Sequence, residues 1–456
     1  ATGQMVAGNN AATYANGLIF PTGGACNAAK AIAPLASCSP FGSRVNPNSN
    51  NNWGPRVGLA YDPFGDGKWA IRAGYGLFYD RTLNGIWEQN AFNDPPLVQT
   101  STINNNGSSS ANIFDNVNNG IAGAAPLGPS SLTSTGTPTF KPPSYQDYNL
   151  SVQHELMRNT VLEVGYVGTK GTHLLGDINI NQPTVADRLA NPTVDANALV
   201  PSGGYQAIVS RAPIFTSNYN SLQVSLNRRL SQGLTVGVAY TWSKLLTTNP
   251  QDRSLGVADA YNLKGDYGLS TLNTPQILAV SYVYELPFYK NEKSLVGHVL
   301  GGWEISGITN IQSGQSNTVT QGGNDPFANA ANNNSGLNLA RGATAQIRTD
   351  LIGDPHGPKT AAEFFNTAAF ATAVGHFGTE KPGTVLGPGF QLWDISLIKN
   401  IKFAERAALQ LRLETFNAFN HGSPNGINTD IGKGSFGSIN GWHDPRTVQL
   451  GAKFRF

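Results

Sequence analysis

Charge is scarce in this chain. Asp, Glu, Lys and Arg make up 13% of its 456 residues, roughly half the globular average of about 25%. The 30 Lys and Arg nearly balance the 28 Asp and Glu, leaving a net charge of +2, and they form no basic run. That argues against a nucleic-acid partner. Long apolar runs are also missing. No stretch approaches the roughly 18 consecutive apolar residues of a membrane helix, an absence that leaves strand-built membrane proteins open. Cysteine is limited to Cys26 and Cys38, in a Gly/Ala/Asn-rich segment. In an oxidising compartment they suit a loop-closing disulfide, with two free thiols as the less favoured alternative.

Catalytic patterns are missing too. The seven His are dispersed, His154 in a strand pattern and His173, His298, His356, His376, His421 and His443 in loops or turns. No H-x-x-x-H or C-x-x-C spacing occurs, and no nucleophile elbow or Walker loop. The sequence offers no catalytic, cofactor-binding or metal-ligating set. Asp62 and Asp66 lack the spacing of a calcium loop. An enzyme is therefore the weakest reading.

What is abundant is glycine, 52 residues, together with Asn and aromatics, and a recurring period of two. In the final segment, TVQLGAKFRF, Val448, Leu450, Ala452, Phe454 and Phe456 take one face, while Gln449, Gly451, Lys453 and Arg455 take the other. Successive side chains of a strand point to opposite faces, so this is a two-faced strand. About eleven such segments occur: Arg56–Tyr61, Trp69–Tyr79, Tyr145–Leu156, Val161–Thr169, Ser221–Arg229, Leu234–Ser243, Gln276–Leu286, Trp303–Gln312, Gln391–Lys399, Ala407–Phe416 and the last. Most are near the roughly 9–11 residues a tilted membrane strand needs.

The connections alternate. Asp62–Lys68, Met157–Thr160, Ser231–Gly233 and Phe403–Arg406 are tight, and Phe288–Gly302 is moderate. Between them lie Asp80–Ser144, Lys170–Asn220, Leu245–Pro275, Ser313–Phe390 and Asn417–Pro445, lengths uncommon in a compact soluble domain. Short turns at one end and long loops at the other describe an all-β, antiparallel transmembrane β-barrel, with periplasmic turns and extracellular loops. A soluble propeller or sandwich would have loops of similar length at both ends. Counting back from the last strand makes residues 1–52 an extracellular loop segment. Aromatics near strand ends, among them Tyr61, Trp69, Tyr79, Tyr148, Tyr166, Tyr240, Trp242, Tyr284 and Trp303, fit interfacial girdles.

An odd strand count leaves two open edges, and unpaired backbone groups in hydrocarbon cost several kcal/mol each. Residues 53–456 are therefore expected to be the C-terminal part of a larger barrel. A twelfth strand hidden in Leu18–Ala36 or Thr344–Leu351 would give a complete barrel instead. Arg72, Asp147, Glu155, Glu163, Arg229, Glu285, Asp394, Arg412 and Glu414 fall on the polar face and predict a hydrated, salt-bridged inner wall. Arg228 falls on the apolar face at a strand end, where it can reach the interface. The outer loops carry Phe114, Phe140, Phe327, Phe364 and Phe365 and would hold any substrate specificity, though most of their residues read as inert. Lys359–Phe370 is expected to form a short loop helix with Phe364 and Phe365 packed inward.

Several phrases resemble the barrel of TonB-dependent outer-membrane receptors of the Oar-like group. They are WGPRVGLAYDPFGDGKWAIRAGYGLFYDR (Trp53–Arg81), QDYNLSVQHEL and VLEVGYVGTKGTHL (Gln146–Leu174), NYNSLQVSLNRRLSQGLTVGVAYTWSK (Asn218–Lys244), FFNTAAF (Phe364–Phe370) and LQLRLETFNAFNH (Leu409–His421). They occur in family order across most of Trp53–Phe456. The resemblance implies a Gram-negative-type outer membrane and transport of a large solute, such as an oligosaccharide, peptide or chelate. It also implies partners: membrane lipid, N-terminal barrel strands, a plug, TonB, and assembly machinery reading the strand that ends at Phe456. Neither plug nor TonB box is present in this sequence, so the chain is not expected to transport by itself. A passive porin-like or adhesive barrel is the alternative.

Overall fold

The computed structural model of the chain describes residues 19–20, 22–32, 36–44, 47, 49, 51–81, 130–134, 140–194, 196–202, 205–249, 257–289, 295–322, 326–327, 347–402 and 407–456. Eleven strands form one antiparallel meander in which each pairs with its sequence neighbours. They are β1 (Arg56–Tyr61), β2 (Trp69–Tyr79), β3 (Ser144–Met157), β4 (Thr160–Asn179), β5 (Tyr205–Ser231), β6 (Leu234–Thr247), β7 (Gln276–Glu285), β8 (Trp303–Gln312), β9 (Phe390–Lys402), β10 (Ala408–Phe416) and β11 (Thr447–Arg455). All eleven expected segments are strands, and the two-faced pattern located nearly every boundary. Two short strands extend the sheet: Gly268–Leu269 beside β6 and Ser130–Ser134 parallel to β5. β1 and β11 are its edges.

Register fixes the faces. Leu450 lies opposite Leu413, Leu413 opposite Leu397, Leu397 opposite Ile305, Ile305 opposite Tyr284, and Tyr284 opposite Leu234. The row continues as Val280–Val238–Leu226–Leu162–His154–Trp69. One apolar surface therefore runs from edge to edge. It is open to the surroundings: Leu450 is 79% exposed, Phe454 57% and Leu411 41%, and Val238 is half-buried. Gln449, Lys453 and Arg412 on the opposite face are exposed as well, so side-chain chemistry and not exposure distinguishes the two faces.

Two strands run far past their expected ends. β4 and β5 continue their pairing beyond Thr169 and before Ser221, through register shifts near Gly171–Leu175, to Asn179–Val209. This extension follows no lipid-imposed alternation, because apolar Ala207, Ile208, Ala212 and Phe215 and polar Asp177, Asn179, Ser210 and Arg211 are all buried there. A close approach holds the hairpin beneath: the Tyr148 ring lies over Gly168, where a Cβ would collide with it. Tyr148 then donates to Asn220 Oδ1 at 3.1 Å. Gly168→Val is expected to displace that ring at a cost of about 1–3 kcal/mol, read as a lower urea midpoint in bilayer vesicles.

A buried apolar cluster lies outside the sheet. Val319, Phe365, Ala369, Phe370, Val385 and Ile427 form a buried cluster with Phe364, Ile431, Phe436 and Ile439 against it. These residues come from the β8–β9 and β10–β11 loops. Phe365, Phe370 and Phe436 meet edge to face at centroid distances of 5.3–6.4 Å, and each such burial stabilises by about 1.5–3 kcal/mol. The strand pairs Ser316–Asn317 with Val385–Leu386, Asp350–Leu351 with Phe370–Ala371, and Pro424–Ile427 with Ile439–Trp442 brace the same region. The described parts of the long loops are thus a folded cap, and their small strands are too short for periodicity to reveal.

The loop helix expected over Lys359–Phe370 is corrected to a single 3-10 turn at Thr367–Ala369, although Phe365 packs inward as expected. Local side-chain bonds compete with the helix. Lys359 has φ 57°, Glu363 N–H donates to Thr360 Oγ1 at 3.1 Å, and Ala368 N–H donates to Asn366 Oδ1 at 3.2 Å. Among the described residues, neither segment proposed to hide a twelfth strand joins the sheet: Asp350–Leu351 pairs only with Phe370–Ala371. Within the described part of Leu18–Ala36 lie helix α1 (Gly24–Ile32) and Ile19–Phe20, which pairs with Ser37–Cys38. Cys26 and Cys38 form a disulfide. Residues 1–18, 82–129 and 403–406 lie outside the described residues, and with them Phe114, the Phe403–Arg406 turn and most of the expected Asp80–Ser144 loop. Among the described residues no helix is long and apolar enough to cross a membrane.

Candidate functional site

Three surfaces carry the chemistry: the apolar face, the polar face behind it, and the cap. Aromatics mark both ends of the apolar face. At the turn end Trp69 stacks on His154, centroids 3.8 Å apart, and Trp303 Nε1 donates to the Val299 carbonyl at 3.0 Å. At the loop end Tyr148 and Tyr166 both donate to Asn220 Oδ1, at 3.1 and 2.5 Å. Trp303, Tyr148 and Tyr166 each combine an apolar ring with a hydrogen-bonded polar tip, as an interface requires. Arg228 sits on this face opposite Val236 and Thr160, at the turn end, as the sequence placed it.

The polar face gathers Arg72, Asp147, Glu155, Glu163, Arg229, Glu285, Asp394, Arg412 and Glu414, with small residues between them. Gly58 lies opposite Gly74, and Ser281 opposite Gly237. Arg72 donates to Gln153 Oε1 at 2.6 Å, Arg412 lies 3.6 Å from Glu414, and Asp394 Oδ1 accepts the Asn417 N–H at 2.9 Å. Glu285 stands opposite Glu304. Among the described residues one ion pair, Arg412–Glu414, joins these charges, while Arg72 bonds an amide and Asp394 a backbone N–H. Asp62 does turn chemistry. Gly67, and with it Phe64 and Gly65, donate N–H groups to its carboxylate at 2.9–3.2 Å and hold it below the usual range. Among the described residues no group of three or more His, Cys, Asp or Glu is placed to hold a metal ion.

The cap contains what periodicity could not find. Asp177 and Arg211 form a buried ion pair at 3.1 Å between the extensions of β4 and β5. Arg348 is buried against Asp266, and it also donates to the Glu380 and Gly265 carbonyls at 2.9 and 3.1 Å. Glu380, 1% exposed, accepts the Val319 N–H at 2.9 Å and the Thr349 hydroxyl at 3.1 Å. Gln182 links two loops, donating to Ala258 O and accepting from the Ala260 N–H. Helix α2 (Val185–Ala190) begins at Thr184, whose hydroxyl accepts the Asp187 N–H at 3.1 Å. Asp350 takes both oxygens to His376 Nε2 at 3.0 Å. The signal available in the sequence was indirect: isolated acids and arginines in loops otherwise almost free of charge need partners if those loops pack.

Burial pushes the Glu380 carboxyl up to about 7, against the opposing hydrogen bonds of Val319 and Thr349 and the charge of Arg348. Burial likewise raises Asp266, despite Arg348. Burial would raise Asp350 as well, but Thr379 and His376 outweigh it and hold that carboxyl low. The folded cap therefore keeps the Glu380 proton to higher pH than the unfolded chain does. Between about 4.5 and 7 the folded state binds more protons, so stability falls as pH rises through that window. Hydrogen exchange of residues 347–385 is expected to be slower at the acidic end. Glu380→Gln, which cannot titrate, should flatten this dependence.

Residues 2–449 match a family model described as an outer membrane beta barrel domain. No curated protein matches the chain. Among solved structures it is similar to the outer membrane transporter YddB from Escherichia coli, at 11% identity and TM-score 0.49, covering 90% of this chain and 41% of that one. It is similar to the pyoverdine outer membrane receptor FpvA from Pseudomonas aeruginosa PAO1, at 13% identity and TM-score 0.39, covering 88% and 36%. It is also similar to BauA, the ferric preacinetobactin receptor from Acinetobacter baumannii, at 10% identity and TM-score 0.42, covering 88% and 36%. The chain thus spans about two fifths of the length of the first.

Proposed function

The chain belongs to the outer membrane beta-barrel domain family and resides in the outer membrane, and on that premise we propose that it forms part of the wall of a TonB-dependent transporter of the Oar-like group. The observation that carries this reading is the two-faced sheet. An outward apolar surface crosses all eleven strands, a polar wall lies behind it, and one end is roofed by a folded cap. The apolar surface suits acyl chains, and the wall suits a wet lumen. The edges of β1 and β11 call for further strands, because open edges in hydrocarbon are too costly to leave unpaired. The Oar-like phrases across Trp53–Phe456 support the choice of group.

On this reading the long loops and the cap face outward, the tight turns face the periplasm, and residues 1–52 belong to the outer surface. The solute is large: an oligosaccharide, a peptide or a chelate. Its passage needs a plug and TonB, both supplied outside this chain, and assembly machinery engages β11. The protein catalyses no reaction. The test is liposome swelling with the whole gene product. A plugged, energised barrel leaves vesicles impermeable to sugars of trisaccharide size. Free swelling would make it a passive pore and overturn the TonB-dependent reading.

A further inference from the structure

Four of the five turns at the tight end are short. The fifth, between β7 and β8, is longer and carries helix α3 (Leu295–Leu300). Its position is set by two side chains from the apolar face. Lys399 follows Trp393, Ile395 and Leu397 in alternation along β9 and lies opposite Trp303 and Leu411. A lysine there would be costly as a bare charge in lipid. Its ammonium is instead buried, donating to the Val299 carbonyl at 2.9 Å and to the Gly301 carbonyl. It also lies 5.1 Å from the Trp303 ring. Trp303 Nε1 donates to the same Val299 carbonyl at 3.0 Å. These bonds satisfy carbonyls that a helix C-terminus leaves open, and a cation is favoured there by the helix dipole.

Both anchoring side chains stand on the outward apolar face, so the last turn of α3 sits on that side of the sheet and not beneath the polar wall. There it presents an apolar surface. Phe288, Tyr289, Val296, Val299 and Leu300 are each 46–58% exposed. The patch is continuous with the apolar face through Trp303. The other described turns carry no helix and expose fewer apolar side chains: Phe64, edge to face with Trp69, in one, Leu156 and Met157 at the second, and Leu230 at the third. A patch of Phe, Tyr, Val and Leu at the rim of a lipid-facing sheet has the make-up of an interfacial helix.

We propose that α3 with Phe288, Tyr289 and Trp303 is an interfacial anchor, lying in the turn-side leaflet of the outer membrane with its apolar side chains covered by phospholipid acyl chains. The occupant is lipid because the patch continues, past Trp303, the apolar face that the proposed function places against acyl chains. The inference rests on the membrane placement of the sheet, and the experiment separates the two. The whole gene product is folded into phosphatidylethanolamine–phosphatidylglycerol vesicles. An environment-sensitive fluorophore is attached at Val299→Cys, at Leu450→Cys on the sheet, or at Asp66→Cys in a polar turn. The label at Val299 is expected to emit to the blue and to be quenched by lipid bearing a nitroxide near the head of its acyl chain, as at Leu450. At Asp66 aqueous iodide should quench instead. Iodide quenching at Val299 with lipid quenching at Leu450 would overturn the anchor alone. So would a Val299 label shielded from both quenchers, since a protein would then cover it. Lipid quenching at neither site would overturn the membrane placement itself.

Discussion

Val280→Arg is expected to destabilise the folded protein in a bilayer by about 2–4 kcal/mol, while Ser281→Arg, one residue along, should change stability little. Val280 sits at the middle of β7, between Val238 and Thr309, on the outward apolar face. A guanidinium there meets hydrocarbon near mid-depth, where the cost is largest. Ser281 is exposed on the opposite face, between Gly237 and Ile308, with room for a long side chain and water to solvate it. Urea unfolding in phospholipid vesicles measures both. Equal costs at the two positions would remove the distinction between faces.

The second large effect belongs to the cap. Arg348→Met is expected to destabilise it locally by about 3–5 kcal/mol, because Asp266 would then be a buried carboxylate without its cation. Asp266 is 3% exposed and Arg348 6%. Arg348 also supplies bonds to the Glu380 and Gly265 carbonyls, so the segments at 265–266 and 380 lose their common partner. Hydrogen exchange should accelerate across residues 257–270 and 347–385 and leave β7–β10 unchanged. Arg348→Met with Asp266→Leu should recover much of the loss, since apolar replacement of both partners removes the stranded charge. Protection unaffected by the single change would show that the pair holds nothing together.

The strands were legible because lipid imposes a rule on every second residue. β1 and β2 begin and end where Arg56–Tyr61 and Trp69–Tyr79 alternate, and even β8, the least regular segment, keeps its expected bounds Trp303–Gln312. The polar-wall charges were legible for the same reason. Beyond the membrane the rule lapses. The extension of β4 and β5 past Thr169 and before Ser221, the Arg348–Asp266 pair and the Phe365–Phe370–Phe436 cluster depend on contacts distant in sequence. Composition registered only their ingredients. Lys399 lay within the alternating pattern, yet its role emerges only when Val299 and Gly301 are seen to meet it.

The central claim is that the apolar face looks into lipid and the polar face into water. A nitroxide scan along β10, one cysteine at a time from Ala408 to Phe416 in vesicle-embedded protein, tests it most directly. Collision with oxygen, which concentrates in hydrocarbon, should peak at Leu409, Leu411, Leu413 and Thr415. Collision with a water-soluble nickel chelate should peak at Ala408, Gln410, Arg412 and Glu414. Profiles without a period of two, or with the two reagents exchanged, would contradict the account.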